Sequence, residues 1–298
     1  MNQDITPQLL REWPLPMPGA DADKEVRGHV LIVAGSREMP GAVLLAASAA
    51  LRAGAGKLTI ATAASVAAHI GTAVPEARVI SLQETHDGGL LAEDASGLHQ
   101  ACQQASAVLI GPGMQDDAAC CQLVRTLLPH CVDSHLILDA AGMSLVGRDA
   151  ECGTEDAPYG FRFDRPVLLT PHAGELARLT GADKQDIQAQ PEAAARLAAQ
   201  RWQATVALKG AITMLAAADG QQWRHEGGNA GLAISGSGDV LAGIITGLAA
   251  RGATLEQAAA WGIALHALAG EQLALKHGPL GYLARELSNE VPALLRAF

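Results

Sequence analysis

Aromatic residues are scarce in this chain, at 3% of 298 positions, and charged residues make up only 17%. A core must therefore be assembled from small aliphatic side chains, and apolar residues at 49% with 32 glycines supply that material. That apolar fraction excludes wholesale disorder. Positive charge is also in deficit: 21 Lys+Arg face 31 Asp+Glu, for a formal net charge of −10. Long-range repulsion from phosphate backbones and anionic headgroups argues against nucleic-acid and membrane partners. Any anionic ligand has to be gripped locally, by backbone amides or a few placed cations. The five cysteines form no CxxC spacing. Their odd number and lack of metal-ligand spacing predict reduced thiols of a cytoplasmic protein rather than a disulfide framework. The opening MNQDITPQLLREW lacks the basic start and apolar run of a secretory signal, and charge-free stretches such as 58–75 are broken by polar residues, Gly and Pro. None reads as a membrane span.

Short aliphatic runs alternate with longer alanine-rich ones. HVLIV (29–33), KLTIAT (57–62), ARVISL (77–82), SAVLIG (106–111), HLILD (135–139), PVLLT (166–170) and TVALK (205–209) read as strands. Their continuous apolar character fits strands covered on both faces, as in a parallel sheet. Segments 41–54, 116–128 and 191–202 read as helices, and ITMLAA (212–217) and QWRH (222–225) flank Asp219-Gly220 as a hairpin. From Gly238 the pattern is helical almost to the end. Strand–helix alternation predicts an α/β protein, a three-layer α/β/α sandwich around a mostly parallel sheet. No repeat or low-complexity linker divides the chain. The polar segment 148–165 interrupts the alternation without ending it, so one domain over 1–298 is expected, with 1–27 as a lead-in.

The most informative segment is GGNAGLAISGSGDVLAGIITGLAARG (227–252). Gly236-Ser237-Gly238-Asp239 stands where the chain enters a small-residue helix whose first amides lack internal acceptors. Such amides form an anion hole for phosphate, and Asp239 beside it can accept a proton from a hydroxyl. The plainer reading is a helix-start carboxylate with glycines that only permit close packing. Gly35 to Gly41 lacks the spacing and Lys-Ser/Thr of a Walker A loop, yet lies at a strand's carboxyl end, where it lines a ligand crevice or merely turns the chain. Leu169 to Glu175 (LTPHAGE) presents His172 and Glu175 for a metal or substrate, or for capping a helix. No second histidine completes a zinc site. Lys209-Gly210 at a strand end reaches a nucleotide or is an exposed turn, and Gly111-Pro112-Gly113 is a close-approach turn or a tight bend. Asp139 ends a strand where such sheets place ligands. His69, His130, His266 and His277 lie in apolar or helical runs and read as structural or surface residues.

Taken together, GSREMPGA (35–42), LRAGAGKLT (51–59), IGPGM (110–114), LTPHAGE (169–175), LKGAIT (208–213) and GNAGLAISGSGDVLAG (228–243) resemble the ADP-dependent NAD(P)H-hydrate dehydratases, a repair family with the ribokinase-like fold. Departures are Ser237 for the usual threonine, Ala230 and Ala173 for prolines, Gln115 for a glycine, and LDAAGMSL (138–145) without its usual second aspartate and asparagine. The resemblance implies a hydro-lyase that restores NAD(P)H from its S-hydrate, with ADP as co-substrate and Mg²⁺ as cofactor. It implies Asp239 as the catalytic base, an anion hole from Gly236, Ser237 and Gly238, and substrate contacts at Ala42, Gly113, His172 and Asp239. Nucleotide contacts fall on Lys209, Gly210, Ala211, Ile212, Thr213 and Gly238, with Glu175 organising the metal indirectly. A homotetramer and a separate NAD(P)H-hydrate epimerase as functional partner are also implied. Two rival functions stay open at this point, a vitamin-precursor kinase of the same fold and a non-catalytic adenylate-binding regulator.

Overall fold

In the computed structural model, residues 2–19, 21–91, 96–147 and 161–298 are described. Most of the polar 148–165 segment lies outside them. Ten strands form one sheet: β1 (Asn2–Asp4), β2 (His29–Val33), β3 (Lys57–Ala63), β4 (Ala77–Leu82), β5 (Ala107–Ile110), β6 (His135–Leu138), β7 (Val167–Leu169), β8 (Thr205–Leu208), β9 (Ile212–Ala216) and β10 (Gln222–Glu226). Their order across the sheet is β1-β10-β9-β8-β7-β6-β5-β2-β3-β4. From β8 to β4 every neighbouring pair is parallel, whereas β9 pairs antiparallel with both β8 and β10. The expected 212–225 hairpin is thus present, with Gly220 in the left-handed region (φ +93°) at its turn.

Between the strands run α1 (Pro7–Glu12), α2 (Pro40–Arg52), α3 (Ala67–Ala73), α4 (Ser96–Gln104), α5 (Asp117–Leu127), α6 (Ala173–Thr180), α7 (Lys184–Ala189) and α8 (Pro191–Trp202). The chain closes with α9 (Ser237–Ala250), α10 (Leu255–His277) and α11 (Ala284–Arg296). Successive strand side chains point to opposite faces, and here both faces are covered. Val30, Ile32, Leu109, Ile137 and Leu168 join a core with α2, α9, α10 and α11. Leu31, Val33, Val108, Ile110, Leu138 and Leu169 join a second core with α4, α5, α6 and α8. That is why the strand sequences are apolar throughout instead of alternating.

The shortage of aromatics has a structural counterpart at the α2–α9 contact. A methyl group at Gly243 would lie 2.3 Å from the Ala46 carbonyl oxygen, and one at Gly247 would lie 2.4 Å from that of Ala50. The two helices meet backbone to backbone, which only Gly and Ala permit. This contact fixes the middle and carboxyl-terminal half of α9 against α2. Cys102, Cys120 and Cys131 are buried free thiols, as expected. Cys121 is disulfide-bonded, which corrects the expectation of reduced thiols throughout: an odd count prevents five cysteines from all pairing, not one pair from forming. Among the described residues no helix is long and apolar enough to cross a membrane.

Candidate active site

The carboxyl ends of β6, β7 and β8 converge because the strands are adjacent and parallel. Lys209 follows β8, and its amide donates to the Pro171 carbonyl (2.8 Å), tying this loop to the one after β7. His172 then caps α6. The Glu175 amide donates to His172 Nδ1 (3.0 Å), and the His172 amide donates to Glu175 Oε2 (2.7 Å). This reciprocal cap satisfies two orphan donors, and it fixes the Glu175 carboxylate beside Lys209 Nζ at 3.8 Å. Asp139, buried just past β6, accepts from Thr170 Oγ1 (2.6 Å) and from Lys209 Nζ (2.9 Å) through the same oxygen, Oδ1.

Lys209 is therefore no exposed turn residue; its side chain keeps 18% of its surface. Burial works to lower its ammonium, but Asp139, Glu175 and Asp239 together raise it above the ordinary lysine value. It stays charged. The opposite pressure falls on Asp239, whose carboxyl is pushed up to about 7, chiefly by burial and then by Asp139, against the pull of Lys209, with Glu175 adding to the rise. No hydrogen bond engages the Asp239 side chain among the described residues. A carboxylate balanced near neutrality and left unengaged is suited to taking up a proton.

Gly236 caps α9 in the left-handed region (φ +89°), and a side chain there would strike Leu45 of α2 at 2.4 Å. Both facts demand glycine. A methyl group on Gly238 would sit 3.4 Å from Lys209 Nζ, so the first turn of α9 directly faces the lysine. A cavity of about 760 Å³ opens here. His172, Lys209, Gly210, Ala211, Thr213, Ser237 and Gly238 line it, and Asn229 and His266 extend the wall.

Most residues expected to contact nucleotide or phosphate thus share one cavity. Ile212 turns instead toward the second core, so only its backbone belongs with its neighbours. Ala42 and Gly113 do not line this cavity. They abut each other, since a methyl on Gly113 would lie 2.5 Å from Ala42 Cβ, and the loop leading into α2 is joined to the one carrying Gly113 where the Gly35 amide donates to the Pro112 carbonyl (2.7 Å). His266 departs from its reading as a structural or surface histidine. Its Nε2 lies 2.9 Å from Ser237 Oγ and 3.0 Å from the Ser237 carbonyl oxygen, inside the site.

Known proteins share this framework. The chain matches the NAD(P)H-hydrate dehydratase family over residues 30–293. It is 47% identical over 291 residues to an ADP-dependent (S)-NAD(P)H-hydrate dehydratase of Xanthomonas campestris, covering 98% of this chain and 95% of that one. This chain belongs to the NAD(P)H-hydrate dehydratase family. Its structure superimposes on that of an ADP/ATP-dependent NAD(P)H-hydrate dehydratase of Bacillus subtilis co-crystallised with ATP and Mg²⁺, with TM-score 0.80, 30% identity and 99% and 98% of the two chains covered. A ribokinase-like superfamily protein of Enterococcus faecalis aligns with TM-score 0.82 and 28% identity over 99% and 95% of the chains. The fold is ribokinase-like, as the resemblance implied.

Proposed function

We propose that the chain is one dehydratase domain that uses ADP to return the S epimer of NAD(P)H hydrate to NAD(P)H. One observation carries the reading. The unengaged Asp239 carboxyl, pushed up to about 7 and coupled to the Lys209 charge, follows directly on Ser237 and Gly238, which line a nucleotide-sized cavity at the start of α9.

Hydroxide is a poor leaving group, so the hydrate's ring hydroxyl must first be phosphorylated. Asp239 takes the hydroxyl proton while the oxygen attacks the terminal phosphorus of ADP, and the bond to the departing AMP breaks. Loss of phosphate and of a proton from the adjacent ring carbon then restores the double bond. Gly236 and Gly238 present amides to the phosphoryl group in transit, which is electrostatic stabilisation where charge develops. The amide of Ser237, expected as a third donor, instead donates to the Ile234 carbonyl (3.3 Å). Lys209, with Gly210, Ala211, Ile212 and Thr213, holds the nucleotide, and His172, Ala42 and Gly113 face the hydrate.

Among the described residues no three His, Cys, Asp or Glu side chains converge on a metal position. Mg²⁺ takes most of its ligands from phosphate and water, and the Glu175 carboxylate, fixed beside Lys209, would contact it indirectly through water. When bound, Mg²⁺ neutralises charge on the ADP phosphates. The S-specific step also needs a separate epimerase to recover the other hydrate.

The test is incubation of the protein with Mg²⁺, ADP and hydrated NADH while near-ultraviolet absorbance is followed. ADP-dependent recovery of the reduced-cofactor signal, with AMP and phosphate released in equal amounts, is expected. Accumulation of a stable phosphoester would make the protein a kinase instead, and no ADP-dependent change would overturn the reading.

A further inference from the structure

We propose that His266 is a positioning residue that directs the Ser237 hydroxyl hydrogen into the cavity, making that hydroxyl a donor to the terminal phosphate of the nucleotide. This rests on the dehydratase reading for its catalytic consequence, though not for its geometry.

His266 is a polar side chain on α10, a helix whose neighbouring Ile263, Leu265, Ala267 and Ala269 are all buried. A half-buried polar group set among apolar neighbours needs a partner, and the one it finds is 29 residues away, at the first helical position of α9. Its Nε2 lies almost equidistant from two oxygens of one residue, Ser237 Oγ at 2.9 Å and Ser237 O at 3.0 Å. A carbonyl oxygen has no hydrogen to give. A bare Nε2 lone pair facing it at that distance would be repelled, so the network assigns the hydrogen to Nε2. One N–H lying between two acceptors is a three-centre bond. Ser237 Oγ is then an acceptor on that side, and its own hydrogen must point elsewhere.

The Ser237 side chain makes no other hydrogen bond among the described residues, and the residue is 5% exposed. Both Ser237 and His266 line the cavity that Lys209 and Gly238 also line. The hydroxyl hydrogen therefore faces the position where the α9 amides would hold a phosphate. The arrangement persists across working pH, because burial and, secondarily, the nearby Lys209 bring the imidazole down to about 4 and keep it neutral. The hydroxyl thus adds a side-chain donor to the amides, and His266 sets its direction without touching substrate.

The experiment combines Ser237→Ala, His266→Leu, His266→Gln and the Ser237→Ala/His266→Leu double variant. Each is measured for ADP-dependent turnover and, by calorimetry, for binding of ADP and of AMP. Removing one oxyanion-hole donor costs about 10²-fold in kcat, so Ser237→Ala and His266→Leu should each lose activity on that order. The double variant should be no worse than Ser237→Ala alone, since His266 acts through the hydroxyl. Glutamine can place an amide N–H near the Nε2 position, so His266→Gln should recover most of the loss. ADP binding should weaken about tenfold in the three disrupted variants, as expected for a hydrogen bond to a charged group, while AMP binding stays unchanged.

Multiplying losses in the double variant would overturn the proposal and mark His266 as structural. Equal weakening of ADP and AMP, or wild-type kcat and ADP affinity in Ser237→Ala, would also overturn it. Should His266→Leu fail to fold, His266→Asn, too short to reach Ser237, takes its place. If the wild-type protein turns over no hydrate yet the variants still lose ADP relative to AMP, the dehydratase reading fails and the His266–Ser237 assignment stands.

Discussion

Asp239 must be ionised to accept a proton, yet burial beside Asp139 and Glu175 holds its carboxyl at about 7. Turnover should therefore rise with pH through about 7 and level off above it, as a rate–pH profile of kcat/KM would record. Asp239→Asn should lower turnover by about 10²–10⁴-fold, the usual contribution of a positioned base, while ADP binding persists. Stability moves the other way. A carboxyl raised on folding binds its proton more tightly in the native state. It therefore contributes stability below its unfolded value near 4, and that contribution is lost as pH rises through about 7. Asparagine carries no charge to desolvate. Urea titrations should show Asp239→Asn more stable than wild type at pH 8 by on the order of 1–2 kcal/mol, allowing for solvent screening of the carboxylate. Near pH 4 the two should agree. Equal stability at both pH values would mean that the carboxylate is not strained by its surroundings.

The helices that hold this site have their own energetics. Gly243→Ala would drive a methyl to 2.3 Å from the Ala46 carbonyl oxygen, so α2 and α9 must separate. Overpacking of this kind costs about 1–3 kcal/mol, and a thermal melt should report it as a lowered Tm. Gly41, in the first turn of α2, has no atom within 4 Å of its would-be methyl. Gly41→Ala should be stabilising by about 0.4–1 kcal/mol through lost freedom in the unfolded chain. These contrasts also explain what could be read from the sequence. The parallel strands were legible because cores on both faces leave no polar alternation, and the hairpin because Asp219-Gly220 interrupts two β-rich runs. The GSGD turn announced itself through its glycines, of which Gly236 is required by its left-handed backbone and by Leu45. The Lys209–Asp139 pair was not legible, since 70 residues separate partners that only the β6–β7–β8 order brings together. His266 was hidden for the same reason: a histidine in an apolar helix carries no local sign of a serine on another helix.

A chain of net charge −10 that handles polyanions poses an electrostatic question. The site does not escape the overall sign, because Asp139, Glu175 and Asp239 surround the single ammonium of Lys209. Attraction must come from oriented amides, whose reach is a few ångströms, while the repulsive field of the whole molecule extends over a Debye length. That length shrinks from about 30 Å at 0.01 M salt to about 10 Å at 0.1 M. Added salt should therefore screen the repulsion while leaving the short amide contacts intact. Metal-free ADP should bind more tightly, and associate faster, as ionic strength rises over this range at pH 8. This is the reverse of the behaviour of a basic nucleotide-binding groove, where salt competes with the ligand. With saturating Mg²⁺ the dependence should flatten, because the complex carries less charge. Calorimetric and stopped-flow titrations across that salt range decide the matter. ADP affinity that falls steadily with salt would place a net cationic field at the cavity mouth, and the local amide grip argued from α9 would no longer account for binding.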